Sequence, residues 1–288
     1  MKKTKLTLDC TLPLTCSRAG TCCYGKAIML NPWEIFNFSK EKKVTPKEFM
    51  EKYCEFGGAR LLFNGKSDHK GQKACSQYVE NKGCAVHNGR PLACRLYPLG
   101  RQTQLEETHY FYQGDKFPCL HDCSEVLKLP KHSVGDYMKG QEAEAFEQAQ
   151  DAYLLLMQDI ADIAFELLLD TGLSASGDTK TLAFWREMGK ETPDSLVNRI
   201  GSDWLHILMC PDISYSVDSP GVFVHKHKEM LLAKIQNAFG SIQTMDELHK
   251  ASVLLISLAL HMARGLGANP QEISEHWIDI AKSHGALE

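Results

Sequence analysis

Cys84-Ala85-Val86-His87-Asn88-Gly89-Arg90-Pro91-Leu92-Ala93-Cys94-Arg95-Leu96-Tyr97-Pro98 is the stretch on which the reading of this chain turns. Around it lie Cys10, Cys16, the adjacent pair Cys22-Cys23 and Cys75 upstream, and Cys119 and Cys123 downstream. With Cys54, ten of the eleven cysteines fall between residues 10 and 123. Cys54 and Cys210 stand apart and read as small core residues. The other nine read as a segment wrapped around a thiolate-bound metal centre. Pro91 and Pro98 stiffen the two sides of the central loop. Arg90 and Arg95 flank Cys94, either to offset thiolate charge or as surface cations.

Composition decides how such cysteines are read. The chain has 288 residues, enough for one large domain or two ordinary ones. Its hydrophobic fraction of 43% and charged fraction of 24% are those of a soluble globular protein. A net charge of −4 gives no basic field for nucleic acid, so no nucleic-acid partner is expected. The opening lysines are not followed by an apolar stretch of signal-peptide type. The apolar run 154–169 carries Asp159, Asp162 and Glu166, and the run 253–262 is too short to cross a bilayer. A cytoplasmic chain without membrane contact is expected. In a reducing cytosol clustered thiols bind metal or do redox chemistry, and the odd cysteine count argues against a disulfide framework.

Along the chain, residues 1–25 read as a loop held by its ligands. Asn31-Pro32-Trp33-Glu34 and Thr45-Pro46-Lys47-Glu48 are helix starts, with a cap residue, Pro at the first turn and Glu at the third position. The second helix is expected to run to Tyr53 and to be ended by Gly57-Gly58. A strand-like piece at 60–63 and a turn at Asn64-Gly65 follow. Residues 103–112 read as a strand or hairpin whose Tyr110, Phe111 and Tyr112 either shield a centre or pack as core. Past residue 130 the pattern becomes helical: one long helix over 133–169 stopped by Thr171-Gly172, a small-residue linker at 174–178, and a helix from Thr192-Pro193 towards Met209. An irregular loop at 211–221 precedes helices at 224–239, 244–264 and from Asn269-Pro270 onward. The fold class is therefore mainly α with small irregular β elements. A cysteine-rich metal-binding domain is expected over 1–130 and an all-helical domain over 131–288.

Thiolates favour zinc or iron–sulfur clusters, usually four to a site. The gaps here are five residues from Cys10 to Cys16 and from Cys16 to Cys22, eight from Cys75 to Cys84 and nine from Cys84 to Cys94. These are not the paired C-x2-C knuckles of common zinc modules. Adjacent Cys22 and Cys23 suit two faces of a cluster better than one metal atom, which favours a polynuclear centre. His87 is either a further ligand or an ordinary hydrogen-bonding histidine. Cys119-Leu120-His121-Asp122-Cys123 has the first half of a radical-enzyme cluster motif, but Val126 occupies the third cysteine position.

The string C-x-[IV]-x-x-x-R-P-x-x-C-R-x-[FY]-P, met by residues 84–98, together with Cys16, Cys22-Cys23 and Cys75, resembles the YkgJ-like, or CxxCxxCC, cysteine-cluster family. That family is described as zinc- or iron-chelating, so the resemblance implies a metal-binding domain over about 10–123. It does not reach the helical half. One position departs from the family pattern: C-x2-C-x2-C-C counted from Cys16 places Ala19 where a cysteine is expected. The Cys10, Cys16, Cys22-Cys23 layout is also similar to that of flagellin lysine methylases, which implies S-adenosylmethionine as a possible cofactor and a protein lysine as substrate.

Other chemistries lack their residues. There is no phosphate-binding loop, zinc-protease motif or nucleophile elbow, and Gly265-Leu266-Gly267 follows a helix and reads as its C-cap. His225-Lys226-His227 reads as a solvated helix face, since positions two apart diverge. The carboxylates of the long helix (Asp151, Asp159, Asp162, Glu166, Asp170) lack the Glu-x-x-His pairs of di-iron bundles. The expectation is a [4Fe–4S] protein with ligands from Cys16, Cys22, Cys23, Cys75, Cys84 and Cys94, and Cys10, Cys119 and Cys123 as alternates. Structural zinc and a methylase are the other readings, no catalytic residue stands out, and the helical half is expected to support the centre or present a protein partner surface.

Overall fold

The computed structural model describes residues 5–14, 20–104, 107–112, 130–170 and 178–286. Helix α1 (Pro32–Lys42) starts as a full capping box: Asn31 Oδ1 accepts the Glu34 N–H and Glu34 Oε2 accepts the Asn31 N–H. Thr45 and Glu48 repeat the device at α2 (Pro46–Tyr53). Gly57-Gly58 does not end α2, which stops at Tyr53. With φ of 57° and 95° the two glycines instead make the turn between β2 (Cys54–Glu55) and β3 (Arg60–Leu61), antiparallel with Cys54 opposite Leu61.

Among the described residues the remaining β structure is three further two-stranded pairs. β4 (Tyr78–Val79) pairs with β5 (Gly83–Cys84), and the short α3 (Leu92–Leu96) follows. β6 (Leu99–Gln104) and β7 (Glu107–Tyr112) form a hairpin in register from Leu99–Tyr112 to Gln104–Glu107. It starts earlier than the 103–112 pattern suggests. β1 (Thr11–Leu12) pairs with β8 (His132–Ser133), which joins the two sides of residue 130.

The long helical pattern from 133 is interrupted. α4 (Val134–Gly140) stops, Glu142 takes a φ of 51°, and α5 (Glu144–Asp170) begins. The break has a tertiary cause: the Gln141 carbonyl accepts from Arg95 and its side chain accepts from Arg90. The expected stop at Thr171-Gly172 and the linker before Asp178 lie outside the described residues. Asp178 itself begins α6 (Asp178–Lys190), a helix the sequence reading missed. The helix expected from Thr192 to Met209 is two, α7 (Pro193–Ile200) and α8 (Ser202–Met209), divided at Gly201 with φ 76°. α9 (Pro220–Phe239), α10 (Met245–Gly265) and α11 (Pro270–Ser283) complete the chain.

α10 is the central helix. It is buried on all sides from Leu255 to Ala263, the pattern of a helix enclosed by others. α5 and α7 pack on it, α9 packs on α5, and α11 packs on α6. α5 buries Phe146, Ala149, Tyr153, Leu156, Ile160 and Ala164, the stripe its periodicity indicates. α1 packs against α5, α8 and α9, and one hydrophobic cluster runs from Leu14 to Ala286. Among the described residues no helix is long and apolar enough to cross a membrane.

Candidate metal centre

The thiols are gathered by short backbone ties. Cys22 and Cys23 sit in a 3-10 turn (Thr21–Cys23) entered through Gly20 at φ 79°. A Cβ on Gly20 would lie 2.3 Å from the Tyr78 ring, so that turn needs glycine. The Cys75 N–H donates to the Cys23 carbonyl at 2.7 Å, and the Gln77 N–H points at Cys75 Sγ at 3.4 Å. The Ala85 N–H donates to the Gln77 carbonyl at 2.8 Å, which sets Cys84 beside that segment. Cys94 rides on α3, whose Leu92 N–H is held at 2.8 Å by Glu34 Oε1. Cys22, Cys23, Cys75, Cys84 and Cys94 thereby line one cavity of about 920 Å3.

Their electrostatics register the crowding. Cys22 and Cys23 share a hydrogen bond, which lowers the Cys22 pKa to about 7, helped by the charges of Lys26 and Arg90. The same bond and burial hold the proton on Cys23, whose pKa is raised. Burial pushes Cys75 up to about 11, and the neighbouring Cys84 and Cys22 add to it. Burial likewise raises Cys94 well above the usual thiol range, with Cys75, Cys22 and Cys84 contributing. Such groups repel one another as thiolates, and a bound cation relieves that repulsion.

The two arginines of the opening stretch are buried, so the surface reading fails for both. Arg95, 2% exposed, donates to the carbonyls of Arg90, Asn88 and Gln141 and lies 4.0 Å from the Phe146 ring centroid. It clamps the loop onto the α4–α5 break. Arg90 donates to the His87 carbonyl and to Gln141 Oε1, and lines the cavity. Its Nε is buried without a hydrogen-bond partner, and among the described residues no carboxylate pairs with it. A buried cation of this kind suits an anionic centre in the same cavity.

Asn31 and Gln150 extend the frame into the helical half. Asn31 Nδ2 donates to Gln150 Oε1 at 3.1 Å, and Gln150 Nε2 donates to the Leu266 carbonyl at 2.8 Å. Glu34, Gln150 and Leu266 all line the cavity, so one hydrogen-bonded chain through Asn31 supports part of its wall. Burial raises the Glu34 pKa to about 7. Sequence reading found Glu34 only as a capping residue, because its second partner, Leu92, is 58 positions away. Gln77, Gln141 and Gln150 carry no sequence signal at all.

The other expected site residues lie elsewhere. Cys10 sits beside β1, its Sγ 3.3 Å from Thr7 Oγ1, and does not line the cavity. Cys16, Cys119, Cys123 and Ala19 lie outside the described residues. Cys54 and Cys210 are half-buried and near each other, Cys210 Sγ standing 3.6 Å from Met50 Sδ. His87 lines the cavity, and so does Phe111. Tyr110 instead donates to Glu147 Oε1 at 2.7 Å, and Tyr112 packs on the core. His225 is exposed, but His227 is wholly buried between Tyr153 and the Ile207 carbonyl, which corrects the solvated-face reading. Among the described residues no three His, Cys, Asp or Glu side chains are placed to hold a single ion. The thiols share a chamber, not one coordination point.

A chamber lined by five cysteines offers the soft donors that thiolate metal sites use. Residues 15–113 match the model of the CxxCxxCC family, described as "Putative zinc- or iron-chelating domain". That span contains all five chamber thiols and ends before the helical half, and the match supports a metal-binding role for it. No curated protein and no solved structure matches the chain.

Proposed function

We propose that this chain is a cytoplasmic metalloprotein that holds an iron–sulfur centre of [4Fe–4S] type in the chamber, with a redox or binding role. The observation that carries this reading is the convergence of Cys22, Cys23, Cys75, Cys84 and Cys94, from three stretches of chain, on one cavity. An all-sulfur donor set is what zinc and iron–sulfur centres take. Cys22, Cys75, Cys84 and Cys94 would hold the centre, with Cys23 on a second face. Such a centre supplies one-electron chemistry when bound. The chain's own part is to orient the thiolates, bury them and offset their charge through Arg90. The helical half would serve as support and as a surface for a protein partner.

Anaerobic purification followed by iron, sulfide and zinc analysis with an absorption spectrum tests this. Iron and sulfide in comparable amounts with a brown chromophore are expected. Colourless protein holding zinc without sulfide would replace this reading by a structural zinc site.

One observation favours a second reading. The cavity, at about 920 Å3, exceeds what a metal centre fills and has the size of a small-molecule pocket. It reaches Leu154, Asn269 and Ile273 of the helical half. A cofactor such as S-adenosylmethionine beside the centre, serving a protein lysine methylase, fits that space. Calorimetry of the metal-loaded chain with S-adenosylmethionine decides it, and an absence of binding heat removes the methylase.

A further inference from the structure

The chamber contains a buried polar side chain that the thiol frame leaves half satisfied. Gln77 is 1% exposed and lines the cavity. Its main chain is fully used: the N–H points at Cys75 Sγ at 3.4 Å and the carbonyl accepts the Ala85 N–H at 2.8 Å. Its side chain is not. Nε2 donates to Ser76 Oγ at 3.1 Å, while Oε1 is buried with no partner. An orphaned amide oxygen in a native interior calls for an explanation, because buried polar groups are almost always paired.

The hydroxyl of Ser76 donates as readily as it accepts. A half-turn of the Gln77 amide therefore lets Oε1 take the Ser76 O–H and aims the Nε2–H2 into the cavity. That arrangement satisfies the side chain only if an acceptor waits there, and the chamber offers sulfur. Arg90, on the same cavity wall, carries a second buried polar atom without a partner, the donor Nε. Among the described residues nothing donates to Gln77 Oε1 and nothing accepts from Arg90 Nε. Two residues that line one thiol chamber each carry an unpaired buried atom, and one explanation serves both.

We propose that the Gln77 side-chain amide, together with Arg90 Nε, donates hydrogen bonds to the metal-bound sulfurs. Gln77 is thus a positioning residue that strengthens and tunes the centre without ligating it. This rests on the metal-binding reading above. Hydrogen bonds to ligating sulfur stabilise the thiolate form and set the affinity of a metal site, and losing such a partner typically costs 10–100-fold.

The test uses the full chain, Gln77→Met and Gln77→Glu. Methionine keeps the side-chain length without donors or strong acceptors. Glutamate keeps the shape and the bond from Ser76 but has no N–H to give. Zinc affinity is read by competition with a chromophoric chelator, and thermal stability is read on the metal-free proteins. Both variants should bind zinc about tenfold or more weakly, while metal-free Gln77→Met melts no lower than wild type, since an unpaired buried amide has been removed. A purely structural role predicts the opposite pairing, a lower metal-free melting temperature with unchanged affinity. Zinc affinity within twofold of wild type in both variants overturns the proposal and leaves the metal reading standing. A wild-type chain that holds neither zinc nor iron overturns both.

Discussion

Arg95 shows how much one side chain of the cysteine loop decides. Its guanidinium serves three carbonyls that point in different directions, and its flat face rests on Phe146. Burial lowers its pKa to about 10, with the Arg90 charge contributing, so it stays charged at neutral pH. A lysine at this place is a single-point cation that cannot span that fork. Arg95→Lys is therefore expected to destabilise the chain by about 3 kcal/mol, read as a shift in urea midpoint at constant slope. A midpoint within experimental error of wild type would refute the clamp. Charge at positions 90 and 95 was legible in the sequence, but burial and direction were not. Both depend on Gln141 and Phe146, about fifty positions away.

At the scale of elements, local signals and distant packing divide the outcome between them. Asn31, Thr45, Thr192, Thr244 and Asn269 each cap the helix that their sequence context announces. Capping is local chemistry within a few residues, so it can be read directly. The break between α4 and α5 could not be read, because docking of the cysteine loop onto Gln141 causes it. His227 is a similar case. On α9 it joins α5 through Tyr153 and α8 through the Ile207 carbonyl, while His261 on α10 reaches the Gly57 carbonyl at 3.3 Å. Burial pulls both imidazoles down to about 4, from an ordinary value of 6.5. The folded protein keeps them neutral where the unfolded chain protonates them. The unfolded state then binds more protons between pH 6.5 and 4, so stability is complete above that window and falls as pH drops through it. Each histidine accounts for up to roughly 3 kcal/mol below the window. Denaturant midpoints from pH 7 to 4 should fall in wild type and fall less steeply in His227→Gln. An equal slope in both would remove His227 from the account.

For the whole molecule, the α/β segment and the helices are joined by several kinds of contact. β1 pairs with β8 across residue 130, α1 packs on α5, α8 and α9, and the Asn31–Gln150–Leu266 chain ties them through polar groups. Gly265 presses so close that a Cβ there would lie 2.5 Å from the Leu30 carbonyl oxygen. Heating is expected to unfold the metal-loaded chain in one transition. Zinc or iron at about a hundredfold over its dissociation constant should add about 2.7 kcal/mol, because the folded state holds the ligands together. Two separate transitions, only one of them shifted by metal, would show that the segments on either side of residue 130 unfold independently.

The sequence by itself marked out the cysteine-rich segment and the helical character of the second half. Cysteine chemistry, helix caps and a 3.6-residue apolar period are properties of residue type and short spacing, and they survive without coordinates. Tertiary structure alone decided which thiols meet. Cys22, Cys23, Cys75, Cys84 and Cys94 line one chamber and Cys10 does not, because backbone bonds from Cys75, Ala85 and Leu92 bring distant turns together. Contacts between residues far apart along the chain leave no trace in spacing. For that reason the second use of Glu34 and the amide of Gln77 came into view only in the fold.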